Sequence, residues 1–507
     1  MPPYRYSSLS HKPNIIRLLR LLPSKDEPEN LRCELLEHTL RESDTACHPY
    51  EALSYVWGSE KKPKSITIID DQKDDQELAV TQNLYIALLH LRDHEIPRII
   101  WADAVCINQA NKEEKEHQIK FMAAIYAKAS RVIVWLGEAR DESDRALESI
   151  RIAGEKSVEP SNTELFEQAI LQLLERPWFC RIWVLQEMAA ARHVIIMCGS
   201  TQIDGYAFCL GLEIFKTVLK DSKYLITFLI RGAIFRSRQI SMKQGRLSLE
   251  ICPLGELFDM YHDYNATKRH DKVYALLAMS SDDLSVAGLE PDYNVPWEML
   301  MRSLVKFLLG DHASIDTWND REIAVIKNKG CTLGQVSSIR TKQDNRRYIQ
   351  ITFNYVLGNP KHGKNRKICW TLPSSAKPVK EGDVICVLQG AQKPTIVRSF
   401  GDYFAIIMIT AIPSEHIQAG WPDLLQFEER FTRDFLLVWD WEKSTEILPD
   451  RGKYDTLIRK SPKIELESQL DKATRTWNFA QILGDSGQHE KAKEKEREAI
   501  KRLGTIK

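Results

Sequence analysis

Apolar positions in the first 215 residues alternate between two periods. Tyr50-Glu-Ala-Leu-Ser-Tyr-Val-Trp-Gly58, Arg98-Ile-Ile-Trp101, Arg131-Val-Ile-Val-Trp-Leu-Gly137 and His193-Val-Ile-Ile-Met-Cys198 are short apolar runs of the kind that become buried strands. Between them lie stretches with helical spacing. In Val80–Arg92, Leu84, Ala87, Leu88 and Leu91 share a face, and Thr81 or Asn83 can cap the start. Glu113–Ser130 carries the clearest stripe, Ile119, Met122, Ala123, Tyr126 and Ala129. Asp144–Gly154 and Thr163–Glu175 predict two more helices, and the stretch opening at Trp178 another. Strand and helix in regular alternation predict an α/β fold, a parallel sheet with helices on both faces. Two further strands, in Asn14–Leu22 and Leu31–Leu36, lead into it.

Beyond residue 206 the pattern turns helical, including Leu254–Tyr264 and Asp271–Met279. From 346 to 412, short strands separated by Gly and Pro predict a small barrel or sandwich. The end is charged and helical, and Asn478–Lys493 resembles one helical hairpin of a tetratricopeptide repeat. The expected divisions are lead-in strands at 1–45, the α/β domain at 46–215, a helical region at 216–310, a β-rich module at 311–445 and a charged helical tail at 446–507.

Lys+Arg and Asp+Glu number 70 each, so no basic field calls for nucleic acid. Ten cysteines without a Cys-x-x-Cys pair fit reduced core thiols. No apolar run reaches the roughly 18 to 20 residues of a membrane span, and Met1–Tyr6 lacks the apolar core of a signal peptide. The expected location is cytoplasmic. No metal is expected, because His90 and His94 share a helix face without a further ligand pair. No cofactor is expected either.

The candidate chemistry gathers where predicted strands end. Trp183 and Glu187, four apart, lie on one helix face. They form either a pocket wall that stacks a ring and holds a sugar hydroxyl, or a core plate beside a satisfied acid. Ser54, Tyr55 and Trp57 close the first strand of the domain, and Asp103, Asn108 and Gln109 follow the second. Those are the places where a doubly wound sheet presents side chains to a ligand. Arg181 can grip a phosphate bidentately or form a structural ion pair. Cys106 has no His placed near it. Gly358–Asn365 departs from a phosphate-binding loop at the residue after its lysine and reads as a hairpin.

Four ordered blocks closely resemble the signature of the fungal heterokaryon-incompatibility (HET) domain. They are Tyr50–Gly58, Trp101-Ala-Asp-Ala-Val-Cys-Ile-Asn-Gln109 with Gln118–Tyr126, Val132–Gly137, and Trp178-Phe-x-Arg-x-Trp-Val-Leu-Gln-Glu187. Arg269–Ala278 and Gly382–Ala391 look like segments that follow this domain in long fungal proteins. The HET domain is in turn similar to Toll/interleukin-receptor-like (TIR) domains, which have a flavodoxin-like sheet; some of them hydrolyse NAD with the Glu of a Trp-x-x-x-Glu helix. Trp183 to Glu187 fits that pattern. The resemblance implies self/non-self recognition ending in regulated cell death, with NAD as a substrate and Glu187 as the catalytic acid. It also implies self-association and partners among other incompatibility or receptor proteins. At this point the rival reading stands beside it: a non-enzymatic, self-associating signalling module in which Trp183 and Glu187 are structural.

Overall fold

The computed structural model describes residues 1–9, 14–24, 30–40, 50–59, 61–70, 73–156, 163–215, 225–233, 241–243, 246–285, 287–341, 347–353, 366–372, 377–401, 403–411 and 431–442, and in the tail 456–457, 476–477, 480–481, 484 and 489–504. The 358–365 hairpin and most of the tail lie outside the described residues. The chain divides into two compact units, one of residues 1–251 and 264–281, the other of 252–263 and 282–507.

The first unit is built on one nine-stranded sheet. Its strands are β1 (Ile15–Leu21), β2 (Arg32–Thr39), β3 (Glu51–Tyr55), β4 (Lys64–Asp70), β5 (Lys73–Val80), β6 (Arg98–Trp101), β7 (Arg131–Trp135), β8 (Val194–Cys198) and β9 (Thr201–Asp204). Across the sheet they run β5-β4-β2-β1-β6-β3-β7-β8-β9. β6, β3, β7 and β8 are mutually parallel. They are the four apolar runs of the sequence, and strands covered on both faces need no polar alternation.

The parallel expectation holds for these four and for the β2–β4 pair, but not for the rest. β1 pairs antiparallel with both β2 and β6, and antiparallel pairs close the two edges. The sheet is therefore mixed. β5, Lys-Asp-Asp-Gln-Glu-Leu-Ala-Val, has no strand pattern in the sequence; its charges suit an exposed edge.

The helices are α1 (Gln82–Leu91), α2 (Asp103–Cys106), α3 (Lys112–Ile119), α4 (Met122–Lys128), α5 (Ser143–Lys156), α6 (Thr163–Leu174), α7 (Trp183–Ala190), α8 (Gly205–Ile214) and α9 (Leu225–Gly232). Thr81 caps α1, accepting from the Leu84 amide. The single helix expected over 113–130 is two. The amides of Lys120 and Phe121 turn back to His117 and Gln118, three residues away rather than four. There the buried Gln118 amide donates to the Ile15 carbonyl at 2.9 Å. A tertiary bond holds the break, and no Pro or Gly announces it. α5 and α8 touch through glycines: a Cβ on Gly211 would lie 2.0 Å from the Ile150 carbonyl oxygen.

A short hairpin follows, β10 (Ser241–Lys243) with β11 (Arg246–Ser248). Residues 264–281 complete the unit. They contain α11 (Asp271–Leu277), whose seven residues are buried except Lys272. Asn265 bridges residues 180–182: its amide donates to the Cys180 carbonyl at 2.6 Å and its carbonyl accepts from Ile182 at 2.9 Å.

The second unit holds α10 (Leu254–Tyr261), α12 (Trp297–Leu309) and an eight-stranded sheet. The strands are β12 (Ser314–Thr317), β13 (Ile323–Thr341), β14 (Arg347–Phe353), β15 (Arg366–Leu372), β16 (Val384–Leu388), β17 (Thr395–Ser399), β18 (Phe404–Met408) and β19 (Arg433–Asp440). β13 pairs with β16 along one part and with β19 along another, so β13-β16-β17-β18-β19 close into a ring. Of the two architectures expected for the β-rich module, this is the barrel. No helix among the described residues is long and apolar enough to cross a membrane.

Candidate active site

Ser54 sits near the C-terminal end of β3, where a strand buried on both faces leaves its hydroxyl no water. It bonds instead to two residues far along the chain. The hydroxyl donates to the Glu187 carboxylate on α7 and accepts from Trp178 Nε1 at 2.8 Å. Trp178 belongs to a short 3-10 turn, Pro177–Cys180, just before α7. The Tyr126 hydroxyl donates to the Leu53 carbonyl at 3.1 Å and its oxygen also faces Glu187.

Arg181 spans the gap between two acids. Its guanidinium donates to the Tyr55 carbonyl at 2.7 Å, and lies 4.0 Å from Glu187 and 3.9 Å from Asp103. Asp103 opens α2 directly after β6, and both its oxygens accept from Trp57 Nε1, at 2.8 and 3.0 Å. Side-chain exposure rises in steps from Glu187 at 3% through Asp103 at 16% to Arg181 at 25%. Glu187 is thus the floor of the group, and the Asp103–Arg181 pair is its outer layer.

Burial pushes the Glu187 carboxyl up from its ordinary 4.5 to about 7. Arg181 and the Ser54 hydroxyl pull it down and Asp103 adds to the rise; burial wins. Such an acid changes charge near neutrality, as a group serving acid–base or oxocarbenium chemistry needs to do. Asp103 reaches solvent and has Trp57 and Arg181 beside it. Two carboxyls in unlike environments share one site.

The structure therefore brings Ser54, Tyr55, Trp57, Asp103, Arg181 and Glu187 together. Gln109 joins through its amide, which donates to the Asp103 carbonyl at 2.8 Å. Asn108 turns to a loop role: its side-chain oxygen accepts from the Ala110 amide at 3.2 Å and its own amide donates to Glu114 at 2.8 Å. Trp183 is half-buried at the first position of α7, one turn before Glu187. Burial pushes the Cys106 thiol up to about 12, so it is no nucleophile. His90 packs on Trp135, their ring centroids 5.1 Å apart.

Three contributors were hidden in the sequence. Trp178 reads there as plain core, yet it supplies the donor that fixes Ser54. Tyr126 belongs to a helix stripe and carries no sign of its polar end. Arg17, on β1, is 2% exposed and pairs with Glu114 while donating to the Ser7 carbonyl at 2.6 Å and the Cys106 carbonyl at 3.4 Å. Glu114 also takes the Asn108 amide, so this buried pair pins the loop from Asp103 to Asn111. The Tyr6 hydroxyl donates to the Val105 carbonyl on the same loop, at 2.8 Å.

In this mixed α/β domain two carboxyls flank a guanidinium beside the strand ends. Residues 50–187 match the family model described as Heterokaryon incompatibility protein (HET). The match ends on Glu187. Heterokaryon incompatibility protein 6, OR allele, of Neurospora crassa is 26% identical over 349 residues, covering 57% of this chain and 51% of that protein. The chain thus spans about half the length of the curated relative it matches. No solved structure matches it.

Proposed function

We propose that the chain is a heterokaryon-incompatibility effector whose first unit cleaves the N-ribosidic bond of NAD, with Glu187 as the catalytic acid residue. The observation that carries this reading is the placement of Glu187. A buried carboxyl that titrates near neutrality lies beside Arg181 at the ends of two adjacent parallel strands. Support for a TIR-like fold comes from strand order. Counted along the chain, the four parallel strands lie 2-1-3-4, the opening of the flavodoxin-like order, with its switch point between β3 and β7.

In this mechanism nicotinamide leaves as the ribose acquires oxocarbenium character. The ionised Glu187 carboxylate binds the ribose hydroxyls and stabilises that charge. Ser54 and Trp178 fix its rotamer before substrate arrives, and Arg181 holds Asp103 across the mouth. Because Glu187 is 3% exposed, substrate reaches it when the Asp103–Arg181 layer parts. Water then takes the ribosyl carbon and yields ADP-ribose. The cellular outcome is self/non-self recognition ending in regulated cell death.

One observation favours the rival, a self-associating module without chemistry. Glu187 already has a hydrogen-bonding partner in Ser54 and a cation nearby, as a structural acid does. Expression of the full chain in a filamentous fungus separates the two. Growth arrest that Glu187→Gln abolishes at equal protein level supports the enzyme. Arrest that survives Glu187→Gln transfers the weight to the module.

A further inference from the structure

Around Asp103 two polar groups lie that the site so far described leaves unused; the Tyr55 hydroxyl, buried beside them, is engaged with Asp103 and the Ala104 amide. The Gln109 side-chain oxygen is buried without a partner, while its amide nitrogen is committed to the Asp103 carbonyl. Lys115, half-buried on α3, places Nζ 6.0 Å from the centroid of the Trp57 ring, whose N–H is spent on Asp103. Among the described residues no carboxylate stands within ion-pair distance of Lys115. Asp103 and Asp271 act on it from farther off, and the neighbouring Lys268 opposes it.

A buried amide oxygen left open costs free energy, and a polar ligand that enters the site meets it. A half-buried ammonium next to a second one, without a carboxylate in contact, is matched by an anion. Arg181 is already engaged with Tyr55, Asp103 and Glu187, so an anion at this end falls to Lys115.

We propose that the Asp103 end of the site is a phosphate subsite: Lys115, on the face of Trp57, binds the 5′-phosphate of the riboside held at Glu187, and the open Gln109 oxygen accepts from one of its hydroxyls. The proposal rests on the ribosidic reading of Glu187 and adds to it the residue that holds the phosphate next to the cleaved ribose. Burial and the Lys268 charge hold the Lys115 ammonium below its usual range, the direction that an incoming phosphate reverses.

The test compares two probes that differ only by that phosphate, nicotinamide mononucleotide and nicotinamide riboside. Binding to the full chain is followed by tryptophan fluorescence in a Glu187→Gln background, which prevents turnover. The mononucleotide binds at least about tenfold tighter, the weight of one charge-assisted hydrogen bond. Lys115→Gln removes that preference and Lys115→Arg restores it. Equal binding of both probes, or a preference that persists in Lys115→Gln, overturns the phosphate subsite and leaves the ribosidic site standing. If neither probe binds the folded chain, the ribosidic reading itself fails and the subsite falls with it.

Discussion

Replacing Glu187 by Gln isolates the contest between burial and Arg181. In the folded chain the carboxyl holds its proton to about 7, against an ordinary 4.5. That displacement corresponds to roughly 3 kcal/mol. Its sign follows from linkage. Between these two values the unfolded chain has lost the proton and the folded chain keeps it, so raising the pH favours unfolding. The Glu187 contribution is fully present below pH 4.5, shrinks as pH rises and is gone above about 7. Gln is neutral and nearly isosteric, and its carbonyl still accepts from Ser54. The variant therefore matches the native chain near pH 4.5 and exceeds it by about 3 kcal/mol at pH 8. Urea unfolding of both proteins from pH 4.5 to 8 reads this directly, in the transition that the substitution moves. The difference cancels every titrating group the two chains share. A difference that stays flat, or that favours the native chain increasingly above pH 5, refutes the reasoning. It would mean that Arg181 at 4.0 Å outweighs burial.

Three further outcomes follow from the same contacts. Ser54→Ala strands the buried Trp178 N–H and takes a donor from Glu187; it lowers stability by about 2–3 kcal/mol in chemical denaturation. Arg17→Leu leaves Glu114 buried and unpaired at a cost of about 3–5 kcal/mol, and amide exchange speeds up over residues 103–111 more than in α5. Gly211→Ala drives a methyl into the Ile150 carbonyl, and its melting temperature falls by several degrees as α5 and α8 separate.

The parts of the fold legible in the sequence are those fixed by local pattern. The four parallel strands are apolar runs, α1 announces itself through Thr81 and its leucine stripe, and Trp183 and Glu187 share α7 by spacing alone. What escaped is set by contacts distant in sequence. β5 is a strand because β4 is there to pair with it, against its own charged composition. The break between α3 and α4 is held by a Gln118 bond to Ile15, 103 residues away. At the site, the strand-end rule singled out Ser54 and Asp103, and both lie near Glu187. The Ser54–Trp178 bond spans 124 residues and the Arg17–Glu114 pair 97; neither has a signature in one sequence. Asn108 satisfied the same rule and yet serves the turn. Position at a strand end brings a residue near the site, but the direction of the side chain is decided by the loop. Residues 264–281 lie far from the matched domain in sequence and fold back on Cys180 and Ile182.

The central claim is that Glu187 does chemistry. Its most direct test is nicotinamide release from NAD by the purified full chain, read by chromatography at concentrations high enough for self-association, beside Glu187→Gln and Glu187→Ala. The account predicts release that rises with pH through about 7, as the carboxylate forms, and that both variants lose. Release undiminished in both would keep an enzyme and reject Glu187. No release from a folded, self-associating chain would contradict the catalytic account altogether.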